Sequence, residues 1–287
     1  MNLVNKKIIF SALLILPLIF SLIYMGIGLN RPLTTGNDKQ IKIMTYNIHF
    51  GVGMDDKMDL ERLAQNILIE DPDILGLEEV ENGRFTSQGV DMALWFATRL
   101  GMQYVYYPSV NDAAFGVALL SKYPIIYSAT YDLPSLQLER VLIHGRIRIN
   151  STFTLDVFVT HLGLNETENV EYQENQTAQV ETILSITSSI TGPKILMGDF
   201  NMLENNSNIQ WITKTFNDTW RDFNPLSTQG SFPSYPAPVP GNRIDYIFAT
   251  NFSSIVDSHI RTDMIPGVYA PWEYGSDHAP VITTLTF

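Results

Sequence analysis

The chain has 287 residues, 45% of them hydrophobic, with 30 acidic against 18 basic residues and a formal charge of −12. That size suits one sizeable core, and the acidic balance argues against a dedicated nucleic-acid surface, because nonspecific binding of polyanions needs cationic neutralisation of phosphates. Cysteine is absent, which removes thiolate metal ligands and fits export without requiring either redox environment.

Lys6 and Lys7 precede an uncharged apolar run over residues 8–29, long enough to cross a bilayer and longer than the core of a typical cleaved signal. No small-x-small cleavage site follows it. Residues 1–30 are therefore expected to form a membrane anchor, a single-pass transmembrane helix, with a removed signal segment as the alternative. The short N-terminal tail and its two lysines favour an extracytoplasmic catalytic domain, although basic residues also follow the span. Residues 31–40 read as a polar linker and residues 41–287 as the catalytic domain, a monomer. That domain carries 30 acidic against 16 basic residues, a formal −14. Six Asn-x-Ser/Thr sequons, from Asn150 to Asn251, permit glycosylation.

Within the domain, strand-like runs are predicted at 41–48, 73–77, 103–107, 115–121, 141–149, 153–161, 194–199, 243–249 and 281–287. Leu60, Leu63, Ala64, Ile67 and Leu68 share one helical face behind a possible Asp59 cap, and 89–100 and 172–190 also read as helices. The proline-rich stretch 225–242 reads as a long surface loop. Strands with interspersed helices predict a layered α/β domain.

Six short motifs place Asn, Asp, Glu or His at or beside the ends of these runs: Thr45-Tyr46-Asn47, Leu77-Glu78-Glu79-Val80, Thr160-His161-Leu162, Gly198-Asp199-Phe200-Asn201, Arg243-Ile244-Asp245-Tyr246 and Ser276-Asp277-His278. Carboxylate and amide oxygens suit Mg²⁺ or Mn²⁺, whereas zinc sites favour His and Cys. Such an ion neutralises the charge that makes a phosphate ester hard to attack. Strand alternation puts Glu78 and Glu79 on opposite faces, so only one is expected in the site. His49 stands two residues past Asn47, near the expected cleft; His144 and His259 read as structural or surface residues.

This ordered set, with Leu119-Leu120-Ser121-Lys122-Tyr123-Pro124, resembles the endonuclease/exonuclease/phosphatase superfamily over residues 41–287. The resemblance implies a four-layered sandwich of two packed mixed β-sheets flanked by helices, and metal-dependent hydrolysis of a phosphoester by water. It also implies roles. Glu79 and Asn47 match metal ligands, with Asp277 a second metal-side carboxylate. Asp199 matches the group that orients or deprotonates water, and Asn201 a donor to the phosphate. His278 matches the imidazole on the scissile phosphate, Asp245 its partner, and His161 a histidine near the phosphate or leaving oxygen. A narrower likeness, through Asn82-Gly83-Arg84, Asp91 to Trp95, Phe115-Gly116 and Glu139-Arg140-Val141-Leu142, is to the phosphatase-like domains of membrane proteins that remodel glycosylphosphatidylinositol lipids. The expectation is a phosphodiesterase or phosphatase acting on lipid or inositol-type headgroups. The alternatives are an extracellular nuclease and a non-enzymatic binding module.

Overall fold

The computed structural model describes residues 39–109, 114–136, 138–164, 170–233, 241–262 and 273–287. The expected span at 8–29 lies outside the described residues. Among the described residues no helix is long and apolar enough to cross a membrane. In chain order the first half comprises β1 (Gln40–Asn47), α1 (Leu60–Glu70), β2 (Ile74–Glu81), α2 (Met92–Leu100), β3 (Gln103–Pro108), β4 (Phe115–Ser121), β5 (Ile125–Leu133) and β6 (Arg140–Arg148). Then follow β7 (Thr154–His161), α3 (Val170–Ser188), β8 (Lys194–Asp199), α4 (Ser207–Ile212), β9 (Asn217–Asp218), α5 (Thr219–Phe223), β10 (Asp245–Thr250), β11 (Ser254–Ile260) and β12 (Val281–Thr286).

Nearly every residue of β1, β2, β7 and β8 is buried, the mark of strands covered on both faces. They make two central parallel pairs, β1 with β2 and β7 with β8, each connected through a helix. Around them grow two six-stranded mixed sheets, ordered β11-β12-β1-β2-β4-β3 and β5-β6-β7-β8-β10-β9. Alternation assigns the layers. Val157, Val159, Ile195, Met197 and Ile247 join the large core that includes Ile41, Ile43 and Leu77 of the first sheet. Their neighbours Phe158, Leu196 and Phe248 face the other way, packing with Val180 and Ile183 of α3. Leu63 and Ile67 of α1 belong to the large core, under the first sheet. Asp59 caps α1, its side chain accepting from Arg62 N at 3.0 Å, a contribution of about 1 kcal/mol.

Three edge strands, β5, the two-residue β9 and β11, were not expected from the sequence. Ile126 and Tyr127 of β5 are exposed and its pairing slips between Ile125 and Tyr127, while β11 mixes Ser254, Asp257 and His259 with apolar residues and slips between Ile255 and Asp257. Neither β5 nor β11 shows a continuous apolar run or clean alternation, whereas the edge strand β3 was legible from its aromatic and β-branched run. The run expected from residue 243 starts as β10 at Asp245, because Arg243 is occupied in a buried pair with Asp218 at 2.7 Å. Of the expected loop at 225–242, residues 234–240 lie outside the described residues, and its flanks are tied by a bridge between Phe232 and Asn242.

Gly198 marks the tightest point between the central strands of the second sheet. It pairs with Thr160 at φ +143°, and a Cβ there would meet the Thr160 carbonyl oxygen at 1.8 Å. Gly198→Ala is expected to destabilise the fold by more than about 2 kcal/mol, measured by denaturant unfolding. Gly192→Ala, where a Cβ meets nothing within 4 Å, should cost about 1–2 kcal/mol from backbone strain alone. Equal losses at the two positions would contradict the steric account.

Candidate active site

Strand direction gathers the site at one end of both sheets. The parallel pairing of β1 with β2 ends at Asn47 opposite Glu78, with Glu79 next along β2, while β7 and β8 run parallel and end on His161 and Asp199. β10 runs antiparallel to β8, so its first residue, Asp245, stands opposite Asp199. β12 runs antiparallel to β1, so Asp277 and His278 just before it return to the level of Asn47. The hydroxyl of Ser276 fixes that approach, donating to Asn47 O at 2.7 Å and accepting from His278 N at 3.1 Å.

The expectation that Glu78 and Glu79 occupy opposite faces is corrected by a bulge. Pairing of β2 with β4 gains one extra residue between Leu77 and Val80, and Glu79 adopts φ 57°. Glu78 keeps Asn47's face and accepts from Thr45 Oγ1 at 2.9 Å. The left-handed turn at Glu79 brings its carboxylate back to Asn47 Nδ2 at 3.3 Å. His49, Phe50 and Asn201 also have positive φ. Such conformations cost about 1–3 kcal/mol each and gather where a site demands them.

Asp199 is the hub. Asn47 Nδ2 donates to its Oδ2 at 3.0 Å, and Asn201 N to its Oδ1 at 2.8 Å. His161 Nε2 and His278 Nε2 stand 3.6 Å and 3.8 Å from its Oδ2. His278 Nδ1 donates to Asp245 Oδ2 at 2.9 Å, across 33 residues of sequence. Asn201 Nδ2 donates to His161 Nε2 at 3.1 Å and to Leu162 O at 3.1 Å. Asp277 lies apart from this hub, with Oδ1 3.8 Å from His49 Nδ1. His144 bonds Asp156 at 2.6 Å and stacks on Phe158, and His259 pairs with Asp257 and Glu70, so both serve the fold.

Burial and neighbouring charge divide the titratable groups. Burial, reinforced by the Asp245 charge, raises the Asp199 carboxyl to about 7. Burial also raises Glu79, and raises Glu78 well above the usual carboxylate range, with Asp245 adding to the effect there. For His278 burial favours the neutral ring, but the Asp245 and Asp199 charges outweigh it and hold the imidazole at about 10. His161 has no partner like Asp245; burial, with the Arg140 and His278 charges, drives it well below 6.5. Two imidazoles flanking one carboxylate thus differ in state, His278 a cation and His161 neutral with Nε2 as acceptor.

Sequence reading missed several contributors. Arg140 is buried at the start of β6, its Nη1 donating to His161 O at 3.5 Å. The Ser231 hydroxyl accepts from Asp245 N at 3.2 Å, and the Phe232 ring lies 4.9 Å from the His278 ring. Ser231 and Phe232 sit in the stretch read as a loop, where no local pattern signals them.

Asp199, Asp245 and His278 present ligand atoms within 4.8 Å of one another, a buried group able to hold a metal once the His278 ring gives up a proton. The donors at Glu79 fit a hard cation as well. Its half-buried carboxyl has one hydrogen bond among the described residues, at 3.3 Å, and a bound cation would restore the charge that burial disfavours.

The pairing of Asp245 with His278 has a measurable consequence. A folded-state value above the ordinary 6.5 means that the ion pair's stabilisation is complete below about pH 6.5 and is lost as pH rises through about 10. The alkaline limb of any activity requiring the His278 cation is expected near pH 10. Asp245→Asn removes the main opposing charge and should lower that limb by at least about one unit, read from pH–rate profiles or NMR titration of His278. An unmoved limb would separate the two residues.

Comparison with known proteins completes the assignment. Residues 44–278 match the model of the Endonuclease/Exonuclease/phosphatase family. Protein cwh43 of Schizosaccharomyces pombe is 31% identical over 133 residues, which is 46% of this chain and only 14% of that protein. Among solved structures, an endonuclease/exonuclease/phosphatase of Beutenbergia cavernae aligns with a TM-score of 0.69 and 24% identity, over 86% of this chain and 71% of the other. A mannosyl-6-phosphatase of Bacteroides thetaiotaomicron aligns at 0.68 and 18% identity, over 86% of this chain and the whole of the other. Shared fold, strand-end residues and a match over most of the chain lead to one conclusion: the protein belongs to the Endonuclease/Exonuclease/phosphatase family, whose members hydrolyse phosphoesters.

Proposed function

We propose that this chain is a membrane-anchored, Mg²⁺- or Mn²⁺-dependent phosphodiesterase or phosphatase acting outside the cytoplasm on lipid or inositol-type headgroups. The observation that carries the reading is the buried cluster of Asp199, Asp245 and His278, with Asn47 bonded to both Asp199 and Glu79. Glu79 is the main metal ligand, with Asn47 and Asp277 as neighbouring donors. The metal supplies charge neutralisation at the phosphoryl oxygens. Asp199, poised near neutral pH, takes the proton of the attacking water as its oxygen bonds to phosphorus and the bond to the leaving oxygen breaks. The His278 cation, held by Asp245, donates to a phosphoryl oxygen, and Asn201 adds an amide donor. The neutral His161 imidazole stands on the leaving-group side.

The narrower likeness to domains of lipid-remodelling membrane proteins, the partial identity with cwh43 and the uncharged segment at 8–29 support the lipid part of this reading. The linker enters β1 at Gln40, the end opposite Asn47, about 23 Å from it at the usual rise per residue. A ten-residue linker spans up to about 35 Å when extended, enough to let the site meet a headgroup.

Hydrolysis is expected to stop with excess chelator and return with Mg²⁺ or Mn²⁺, and Glu79→Gln should lower turnover at least about 100-fold. Full activity in chelator would end the metal mechanism. In cell fractionation the full chain should sediment with membranes, and the purified full chain should hydrolyse phospholipid or inositol phosphoesters faster than it nicks plasmid DNA. A preference for plasmid by orders of magnitude at both low and moderate salt would make it a nuclease instead.

A further inference from the structure

Three arginines are buried among the described residues, and they are not alike. Arg62 bonds the Asp55 carboxylate at 2.9 Å, and Arg243 bonds Asp218 at 2.7 Å. Arg140, 6% exposed, bonds no carboxylate among the described residues; its guanidinium makes one long contact, Nη1 to His161 O at 3.5 Å. It feels the Asp199 and Glu79 charges through space without bonding either. A guanidinium carries five donors in a rigid fork matched to carboxylate or phosphate oxygens, and a buried one is normally saturated. Here nearly the whole fork is unspent at the edge of the hydrolytic centre.

Arg140 also floors a crevice whose walls are unusual for an acidic domain. Leu136 and Leu138, before β6, and Leu164, after β7, line it together with Arg140, while Tyr172, Asn175 and Gln179 of α3 form its polar side. These leucines are 46%, 54% and 58% exposed. Single exposed leucines are ordinary, but three converging above an unspent cation beside a phosphoester centre form an amphipathic surface. We propose that Arg140 and the three leucines form the subsite for an amphipathic phosphoester. The guanidinium holds a phosphate oxygen of the substrate, and Leu136, Leu138 and Leu164 receive the apolar substituent esterified to that phosphate. This subsite rests on the reading of the centre as a phosphoester site and specifies its substrate class. Its apolar wall selects a lipid-like ester over a sugar phosphate or a nucleotide, whose substituents are polar at the same distance from phosphorus.

Nonhydrolysable phosphonates separate this inference from turnover. Binding of methylphosphonate and hexylphosphonate to the full chain in detergent with Mg²⁺ is measured by calorimetry. Hexylphosphonate is expected to bind at least about tenfold tighter, the gain from burying roughly two of its five additional methylenes. Leu136→Ser with Leu138→Ser and Leu164→Ser should bring that ratio close to one. Arg140→Met, which keeps the packed stem, should weaken both ligands at least about tenfold and preserve the ratio, while Arg140→Lys recovers part of the loss. Thermal unfolding of each variant identifies any that fail to fold, and single leucine replacements then carry the test. A ratio near one in the unaltered chain, a ratio that survives loss of the leucines, or phosphonate affinity indifferent to Arg140 would each overturn the proposal. An inactive chain that shows the expected binding pattern would refute the proposed hydrolysis and leave the subsite standing.

Discussion

Asp199, Asp245, Glu78 and Glu79 are crowded where the ends of two sheets meet, and ionised carboxylates out of water repel one another and lose hydration. The arrangement holds only if charge is removed or opposed. Burial pushes the Glu78 carboxyl well above the usual carboxylate range, which favours its neutral form, and it accepts from Thr45. The His278 cation opposes Asp245 and Asp199, and the guanidinium of Arg140 adds positive charge beyond them. The balance is incomplete at Glu79 and Asp199, whose carboxyls burial still pushes upward. In the mechanism we propose, that unfinished balance is the electrostatic basis on which the site would attract a cation and take a proton from water.

The scaffold makes this crowding possible because both sheets present the same kind of edge. Each has a central parallel pair whose C-terminal ends point to one side, and the antiparallel neighbours β10 and β12 bring their beginnings to the same side. Backbone strain completes the placement. Without the left-handed turn at Glu79, ordinary pleating would send its carboxylate away from Asn47. At Gly198 the close approach of the Thr160 carbonyl leaves no room for a side chain one residue before the hub. Strain and close packing sit next to the chemistry because the chemistry needs side chains where regular strands do not put them.

Two imidazoles beside one carboxylate acquire opposite characters from their partners alone. His278 has Asp245 behind it and stays cationic; His161 has Arg140 and an amide beside it and stays neutral. Pairs of titratable groups pushed apart in this way mark a division between donor and acceptor work. Arg140, at the start of β6, lies on the His161 side, so the guanidinium and the His278 cation, held just before β12, come to the Asp199 region from different elements. In the proposed subsite a phosphate entering between them would meet positive charge from two directions, and the leucines lining the crevice with Arg140 would make one of those directions apolar.

The sequence by itself determined the layered α/β class, the central buried strands and most of the strand-end residues, because those depend on local pattern: continuous apolar runs, a capping Asp59 and short polar motifs at run ends. The edge strands β5 and β11 were illegible, since their pairing slips and their burial follows no regular period, while the edge strand β3 was legible from its Tyr and Val residues. Only the tertiary structure decided that Glu78 and Glu79 approach from one side, because a one-residue bulge depends on pairing with β4 rather than on the residues themselves. The same holds for the protonation states and for Arg140. A guanidinium becomes significant through what it fails to bond, and that is decided by the neighbours the fold brings to it, not by its place in the chain.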